Sequence, residues 1–418
     1  MSRRSRLLAA AFALGLFAFT ARPATAQQPL TIGFAMSLTG GLAPNGKAAL
    51  LAMQIWAEDT NAKGGLLGRK VKLIYYDDQS NPAQIPGIYT KLLDVDRVDL
   101  VVGGYATNMI APALPVIIAH QRTFIGLLGL DVNSKFHYPK YFSLSPTGGP
   151  HPKQSFSQPF FAVAAAMQPK PVRLALVGAD AEFPKNALDG ARELAKADGF
   201  SVVYDRSYPP STADFSPIIH AIAATRPDVV FVASYPPDTV GMLRAAREVG
   251  LKARLFGGGM VGLQSTSIKM QLGDLLNGVV DYDFWLPVAK FATPAAMAFL
   301  KEYQAKAGAA GVDALGYYLP PFAYADMQVL ADAVEATKGT NDDKLADYLR
   351  THEFQTVVGP IKFGPGGEWT DARVLEVQFQ GVTGHDLAQF KDPKTEVILS
   401  PPEYKSGTLR APYQDAQH

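Results

Sequence analysis

The chain has 418 residues, 48% of them hydrophobic, and a formal charge of +1. That length can bury a large core and suggests two domains, while the near-neutral balance gives no electrostatic footing for nucleic acid or a membrane surface. There is no cysteine, which excludes disulfides, thiolate metal sites and a lipid-bearing Cys at an export cleavage point.

Arg3, Arg4 and Arg6 precede an apolar run from Leu7 to Phe19, and Ala24-Thr25-Ala26 fits a small-residue cleavage site. Residues 1–26 therefore read as a secretory signal peptide. The run is short for a membrane span, and no later segment is long and apolar enough for one. The mature protein is expected in a periplasm. After the signal, Leu30 to Met36 reads as a strand, Leu42 to Ala62 as a helix, Val71 to Tyr76 as a strand, and Pro82 to Asp94 as a helix.

The next stretch is VDLVVGGYATNMIAPALP, from Val98 to Pro115. Val98, Leu100, Val101 and Val102 predict a buried strand, which ends at Gly103-Gly104. Tyr105, Ala106 and Thr107 lead into a helical pattern of Met109, Ile110, Ala113, Leu114, Ile117 and Ile118, interrupted by Pro112 and Pro115. A strand-turn-helix corner leaves free N–H groups at the helix start, where small anions bind. This corner is expected to form one wall of a ligand cleft. Thr123 to Leu127 is a further short strand.

A Pro/Gly/Ser-rich passage from Ser143 to Pro152 predicts a passage between lobes. The rhythm restarts with strands at Val172–Val177, Ser201–Tyr204 and Val229–Ala233, separated by helices at Lys185–Asp198 and Pro217–Ala224. Asp238 reads as the cap of the next helix, Thr239 to Val249. Val279 to Leu286, with Tyr282, Phe284 and Trp285, reads as a second passage. Helices follow at Pro294–Lys306, Pro320–Thr337 and Asp342–Arg350, before a strand-like, Gly-broken tail. Strands alternating with helices at this rhythm predict an α/β fold with parallel sheets covered on both faces. Ligands in such sheets sit beyond the carboxyl ends of the strands.

Several stretches together, IGFAMSLTGGLAPNG, GGLLGRKVKLIYYDDQSNP, VVGGYATN, FSPIIHAI, PDVVFVASYPPDTVGMLRAAREVGL and YADMQVLADAVE, carry a likeness over nearly the whole mature chain. The chain resembles the branched-chain amino acid type of periplasmic solute-binding protein that serves ABC transporters. The resemblance implies a type I periplasmic binding protein: two Rossmann-like lobes joined by three hinge crossings, with ligand held between them. It implies lobe one at 29–145 and 283–356, and lobe two at 146–282 and 357–418. It further implies a monomer without cofactor that docks on an inner-membrane ABC permease.

By the same likeness, ligand contacts fall on Asn45 before Gly46, on Tyr105, Ala106 and Thr107, and on Leu128 and Gly129. In the second lobe they fall on Phe183 and Tyr235. A family glutamate that holds the ligand's ammonium falls near Gly259 or Met260, and neither is acidic. Removing one partner of a buried ion pair costs ~3–5 kcal/mol, roughly two to four orders of magnitude in affinity. Either Asp180, Glu182, Asp238, Asp281 or Asp283 substitutes, or the ligand has no ammonium. Tyr105, Phe183, Tyr235, Trp285, Tyr317 and Tyr318 suit a flat apolar body, so aromatic or other small organic acids stand beside branched-chain amino acids as candidates.

Plainer roles compete. Thr107 can cap the next helix, Asn45 can be a turn residue, Trp285 can steady a hinge, and Tyr317 or Tyr318 can staple a helix to the core. The His residues are scattered without ligand spacing, Asp77-Asp78 reads as a solvated strand end, and no nucleophile elbow is visible. Neither a metal site nor an enzyme is expected. A ligand-sensing receptor component that binds an amide, urea or organic acid remains the alternative to transport.

Overall fold

The computed structural model describes residues 27–288 and 290–417. The expected signal peptide, 1–26, lies outside them. Among the described residues no helix is long and apolar enough to cross a membrane.

The first lobe is built on five parallel strands: β1 (Leu30–Met36), β2 (Val71–Asp77), β3 (Leu100–Val101), β4 (Phe124–Leu127) and β5 (Tyr141–Leu144). β1 lies between β2 and β3, and β4 pairs with β5. Two hydrogen bonds join the pieces, Gly103 N–H to Ile125 O at 2.7 Å and Ala106 N–H to Leu127 O at 3.2 Å. The helix Ala43–Ala62 packs on the later helix Leu319–Thr337 over this sheet. Its buried positions include Leu51, Met53, Ile55 and Trp56.

The second lobe holds β6 (Arg173–Ala179), β7 (Ser201–Tyr208), β8 (Val229–Ser234), β9 (Leu255–Met260) and β10 (Val280–Asp283). A small hairpin, β11 (Glu353–Thr356) with β12 (Gly359–Lys362), precedes β13 (Leu375–Phe379) and β14 (Glu396–Ser400). The large sheet runs β14-β13-β10-β9-β8-β6-β7. β6 to β10 are parallel, and β13 and β14 close one edge antiparallel. β6, β8 and β9 are buried on both faces, which explains their continuous apolar runs.

The chain passes from the first sheet to the second between Leu144 and Pro152, because the helix Pro152–Ala166 already packs on the second-lobe helix Glu182–Ala197. It returns after Asp283 and passes over again before Leu375. Three crossings therefore join two α/β lobes, as the resemblance implies. Two elements differ from expectation. The helix Pro152–Ala166, a segment given no element from its sequence, carries Pro159 in its interior and Pro152 at its start. The segment Pro82–Asp94, expected as one helix, is three short turns of different pitch, 3₁₀ at Pro82–Gln84, α at Ile85–Thr90 and π at Lys91–Val95.

Candidate functional site

The corner after β3 is shaped by a close backbone approach. A Cβ on Gly104 would meet Ala35 O at 2.3 Å, so only glycine lets this strand run beside the end of β1. Ala106 then sits at φ +83°, a conformation that costs a non-glycine residue energy. The helix that follows, Thr107–Ile110, is a single turn. It breaks at Pro112 into a 3₁₀ turn, Ala111–Ala113, and a second short helix, Leu114–Ala119. The dipole expected at this corner is correspondingly small. Thr107 does not cap that turn; its Oγ1 accepts a hydrogen bond from Leu130 N–H at 3.0 Å.

Across the cleft, Tyr235 begins the helix Pro236–Val249 directly after β8. Its hydroxyl donates to Asn108 Oδ1 at 2.7 Å, and its ring lies 5.9 Å from that of Phe183. Asn186 donates to Leu130 O at 2.8 Å, and Lys135 pairs with Glu182. These three contacts join lobe to lobe. Between the lobes lies a small cavity of about 20 Å³. Seven aromatic rings wall it: Tyr105, Phe156, Phe183, Tyr235, Tyr282, Phe284 and Tyr318. Ala106, Thr107, Leu128, Leu130, Ser145, Thr147 and Val261 complete the lining.

The polar side chains of this wall are all hydroxyls. Asn45 Nδ2 donates to Tyr105 Oη at 2.9 Å, and the hydroxyls of Tyr282 and Tyr318 are 3.1 Å apart. Ser145 and Thr147 share one hydrogen bond at 3.1 Å. Burial pushes the Tyr105 phenol up to about 12 and those of Tyr235, Tyr282 and Tyr318 well above their ordinary range. All four stay protonated and serve as donors. Tyr105 Oη accepts from Asn45 Nδ2 and lies beside the Tyr318 hydroxyl, which pairs with that of Tyr282. Whichever way these phenols donate, at least one of their protons, one from the Ser145–Thr147 pair and that of Thr107 have no acceptor among the described residues.

None of the five acids considered from sequence lines the cavity. Asp180 pairs with Lys185, and Glu182 with Lys135. Asp238 accepts from Tyr208 Oη at 3.2 Å and is pushed up to about 6 by burial. Asp281 accepts from Met260 N–H at 2.8 Å and Gln264 Nε2 at 3.0 Å. Asp283 accepts from the N–H groups of Phe284 and Trp285.

Residues 29–381 match the family model described as "Periplasmic binding protein". The chain belongs to that family. The Leu/Ile/Val-binding protein homolog 8 of Brucella suis is 28% identical over 393 residues, covering 90% of this chain and 94% of that protein. Among solved structures, the branched-chain amino acid transporter substrate binding protein LivJ of Streptococcus pneumoniae, in complex with isoleucine, superposes with a TM-score of 0.70 at 17% identity, covering 90% of this chain and 100% of that one. A solute binding protein of an R. palustris ABC transporter, in complex with benzoate, gives 0.72 at 17% identity, covering 89% and 95%. The fold is that of type I periplasmic binding proteins.

The geometry gathers Tyr105, Ala106, Thr107, Leu128, Phe183 and Tyr235 around one cavity, all named from sequence. Four others stand elsewhere. Asn45 sits behind Tyr105 and acts on its hydroxyl. The carbonyl of Gly129 faces Ser143 Oγ, which donates to it at 3.0 Å. Gly259 lies within β9, paired with Ala233 of β8. Trp285 is fully buried beside Tyr317, which is also outside the lining. Sequence reasoning missed Leu130, Ser145, Thr147, Phe156 and Val261, and used Tyr282 and Phe284 only as markers of a crossing. For the last two a signal existed: Asp281, Tyr282, Asp283 and Phe284 alternate, and strand geometry sends the acids one way and the rings the other.

Proposed function

We propose that this periplasmic binding protein captures a small aromatic carboxylate of the benzoate type between its lobes and delivers it to an ABC permease of the inner membrane. The observation that carries the reading is the donor excess of the cavity. Its wall offers hydroxyl protons without acceptors and no carboxylate. Such a wall suits a ligand rich in acceptor oxygens and opposes one bearing a buried ammonium. The seven rings suit a flat apolar body, since aromatic pairs stack or meet edge to face at these spacings. The benzoate-bound relative from R. palustris supports the same choice, while the Brucella relative and LivJ keep branched-chain amino acids in contention.

Binding couples to hinge motion: contacts supplied by both lobes favour the closed arrangement. No step of covalent chemistry is needed for that role. A thermal-shift screen of the mature protein tests it, with leucine, isoleucine, valine, their des-amino analogues, benzoate, hydroxybenzoates, short dicarboxylates and amides. A bound ligand adds RT ln(1 + [L]/Kd), ~2.7 kcal/mol at a hundredfold excess. Shifts with benzoates and none with amino acids are expected. Strong shifts with leucine or valine, and none with des-amino or aromatic acids, would overturn the proposal.

A further inference from the structure

The crossings have two sides. On one, Ser145 and Thr147 of the first crossing and Phe284 of the second line the cleft cavity. On the other, Pro146 O of the first crossing accepts from Arg373 N–H of the third at 2.7 Å. Arg373 in turn lines a separate gap of about 260 Å³. One wall of the gap is the hairpin of β11 and β12, with Pro360 and Lys362, and its floor includes Ala372. That hairpin belongs to the first lobe, where Val357 N–H donates to Gln328 Oε1 of the helix Leu319–Thr337 at 2.9 Å. The facing wall is Glu403 and Tyr404, from the tail that follows β14 of the second lobe. The gap and the cleft cavity share no lining residue.

A stack of rings bridges the lobes on this side. The Arg373 guanidinium lies 5.0 Å from the Trp369 ring and 5.6 Å from that of Phe291. Phe291 follows the second crossing on the first lobe, and its ring lies 4.8 Å from that of Tyr404 at an interplanar angle of 19°. Tyr404 on Phe291 is thus a contact between lobes, on the opposite side of the crossings from the cleft.

We propose that this gap is the counter-space of the hinge, which must narrow for the cleft to open, and that Tyr404 is its stop. Two packed lobes that turn about the crossings cannot part on one side without approaching on the other. The Tyr235–Asn108 bond holds the lobes together at the cleft, and in that arrangement the rear gap stands open. Parting the cleft drives Glu403 and Tyr404 toward the hairpin wall. Bulk in the gap therefore sets how far the protein opens and how much of it rests closed, and that fraction scales the apparent affinity for any ligand. The proposal rests on the hinged closure argued above and not on which ligand is bound.

The chain has no cysteine, so spin labels go only where cysteines are introduced. A rear pair, Lys362→Cys with Glu403→Cys, and a front pair, Lys135→Cys with Glu182→Cys, report the two sides by pulsed electron paramagnetic resonance on the ligand-free mature protein. Tyr235→Ala deletes the bond across the cleft, and should lengthen the front distance while shortening the rear one. Adding Ala372→Trp fills the floor of the gap, and should return the front distance toward its shorter value. Tyr404→Ala alone removes both the stop and a stacked pair, and should shift the front populations about 2- to 12-fold toward the open form. Damage to the fold would not move these two variants in opposite directions. A rear distance that stays fixed while the front one lengthens, equal opening with and without Ala372→Trp, or a Tyr404→Ala protein no more open than the unaltered chain would overturn the counter-space and leave hinged closure standing. No movement of either pair would overturn both.

Discussion

Tyr235→Phe removes one oxygen atom from the cleft and leaves the ring. That oxygen donates to Asn108 Oδ1 at 2.7 Å, from a residue following β8 on the second lobe to one beside Thr107 on the first. The bond can exist only when the lobes are together, so its loss acts on the closing equilibrium rather than on either lobe's stability. A net hydrogen bond contributes ~0.5–1.5 kcal/mol. Apparent affinity should therefore fall about 2- to 12-fold, because affinity scales with the fraction of protein able to close. Tyr235→Ala also removes the ring packed 5.9 Å from Phe183; aromatic truncation in packed sites costs up to ~3–5 kcal/mol, so that variant should lose well over tenfold with its fold intact. Asn108→Ala should reproduce the effect of Tyr235→Phe, and the double variant should lose no more than the larger single one, since both changes delete the same bond. Titration with the tightest ligand of the screen, paired with scattering to follow compaction, measures all four. Additive losses from Asn108→Ala and Tyr235→Phe, or unchanged affinity in both, would refute the latch.

Three further outcomes follow from buried groups. Glu368 keeps its proton in the folded state up to about pH 8 but loses it above the ordinary glutamate value of 4.5 when unfolded, so stability falls as pH rises from 4.5 to 8. The difference of 8 − 4.5 = 3.5 units, at ~1.36 kcal/mol each, gives at most about 5 kcal/mol. Glu368→Gln should therefore stabilise at pH 8 and not at pH 4.5 in urea melts; a larger gain at the acidic end would reverse the argument. Lys269→Met should cost ~3–5 kcal/mol, because it strands Glu396 at 6% exposure beside the equally buried Asp283. Replacing Lys269 and Glu396 together with apolar residues should recover most of that loss in the same melts. Gly104→Ala forces a Cβ to within 2.3 Å of Ala35 O; overpacking of this kind costs ~1–3 kcal/mol, and because Tyr105 is the next residue, ligand titration should show weakened binding as well as a lower urea midpoint.

The fold was legible where one periodicity dominated. β1, β6 and β8 are buried along almost their whole length, and their apolar runs announced them. The helix Pro152–Ala166 was not legible, because Pro159 masks a pattern in which Phe156, Phe160 and Phe161 are all buried. β5 escaped because its four residues are too few to show a period, and its place is set by pairing with β4. At the cleft, sequence marked the corners that follow strands, Tyr105 to Thr107 and Tyr235, since strand ends are where such folds bind. It could not mark Phe156, which reaches the cavity from a helix following a crossing, nor decide which acids point inward.

That last question turns on the parity of β10. Trp285 on the second crossing stood among the candidate ligand contacts, with hinge packing as its rival role. In a strand, however, residues one apart face opposite ways. Tyr282 turns to the cavity, so Asp281 and Asp283, its neighbours in β10, turn from it. There Asp281 accepts from Met260 N–H and Gln264, and Asp283 from the two N–H groups that follow it. A register one residue different would bring two carboxylates to the ligand and make an ammonium site of the same sequence. The chemistry of the cleft thus follows from which face of one four-residue strand looks inward. Because a shift by one residue would reverse every side chain of β10 at once, the absence of an acid from the cavity is a property of the strand's pairing with β13 as much as of any one residue.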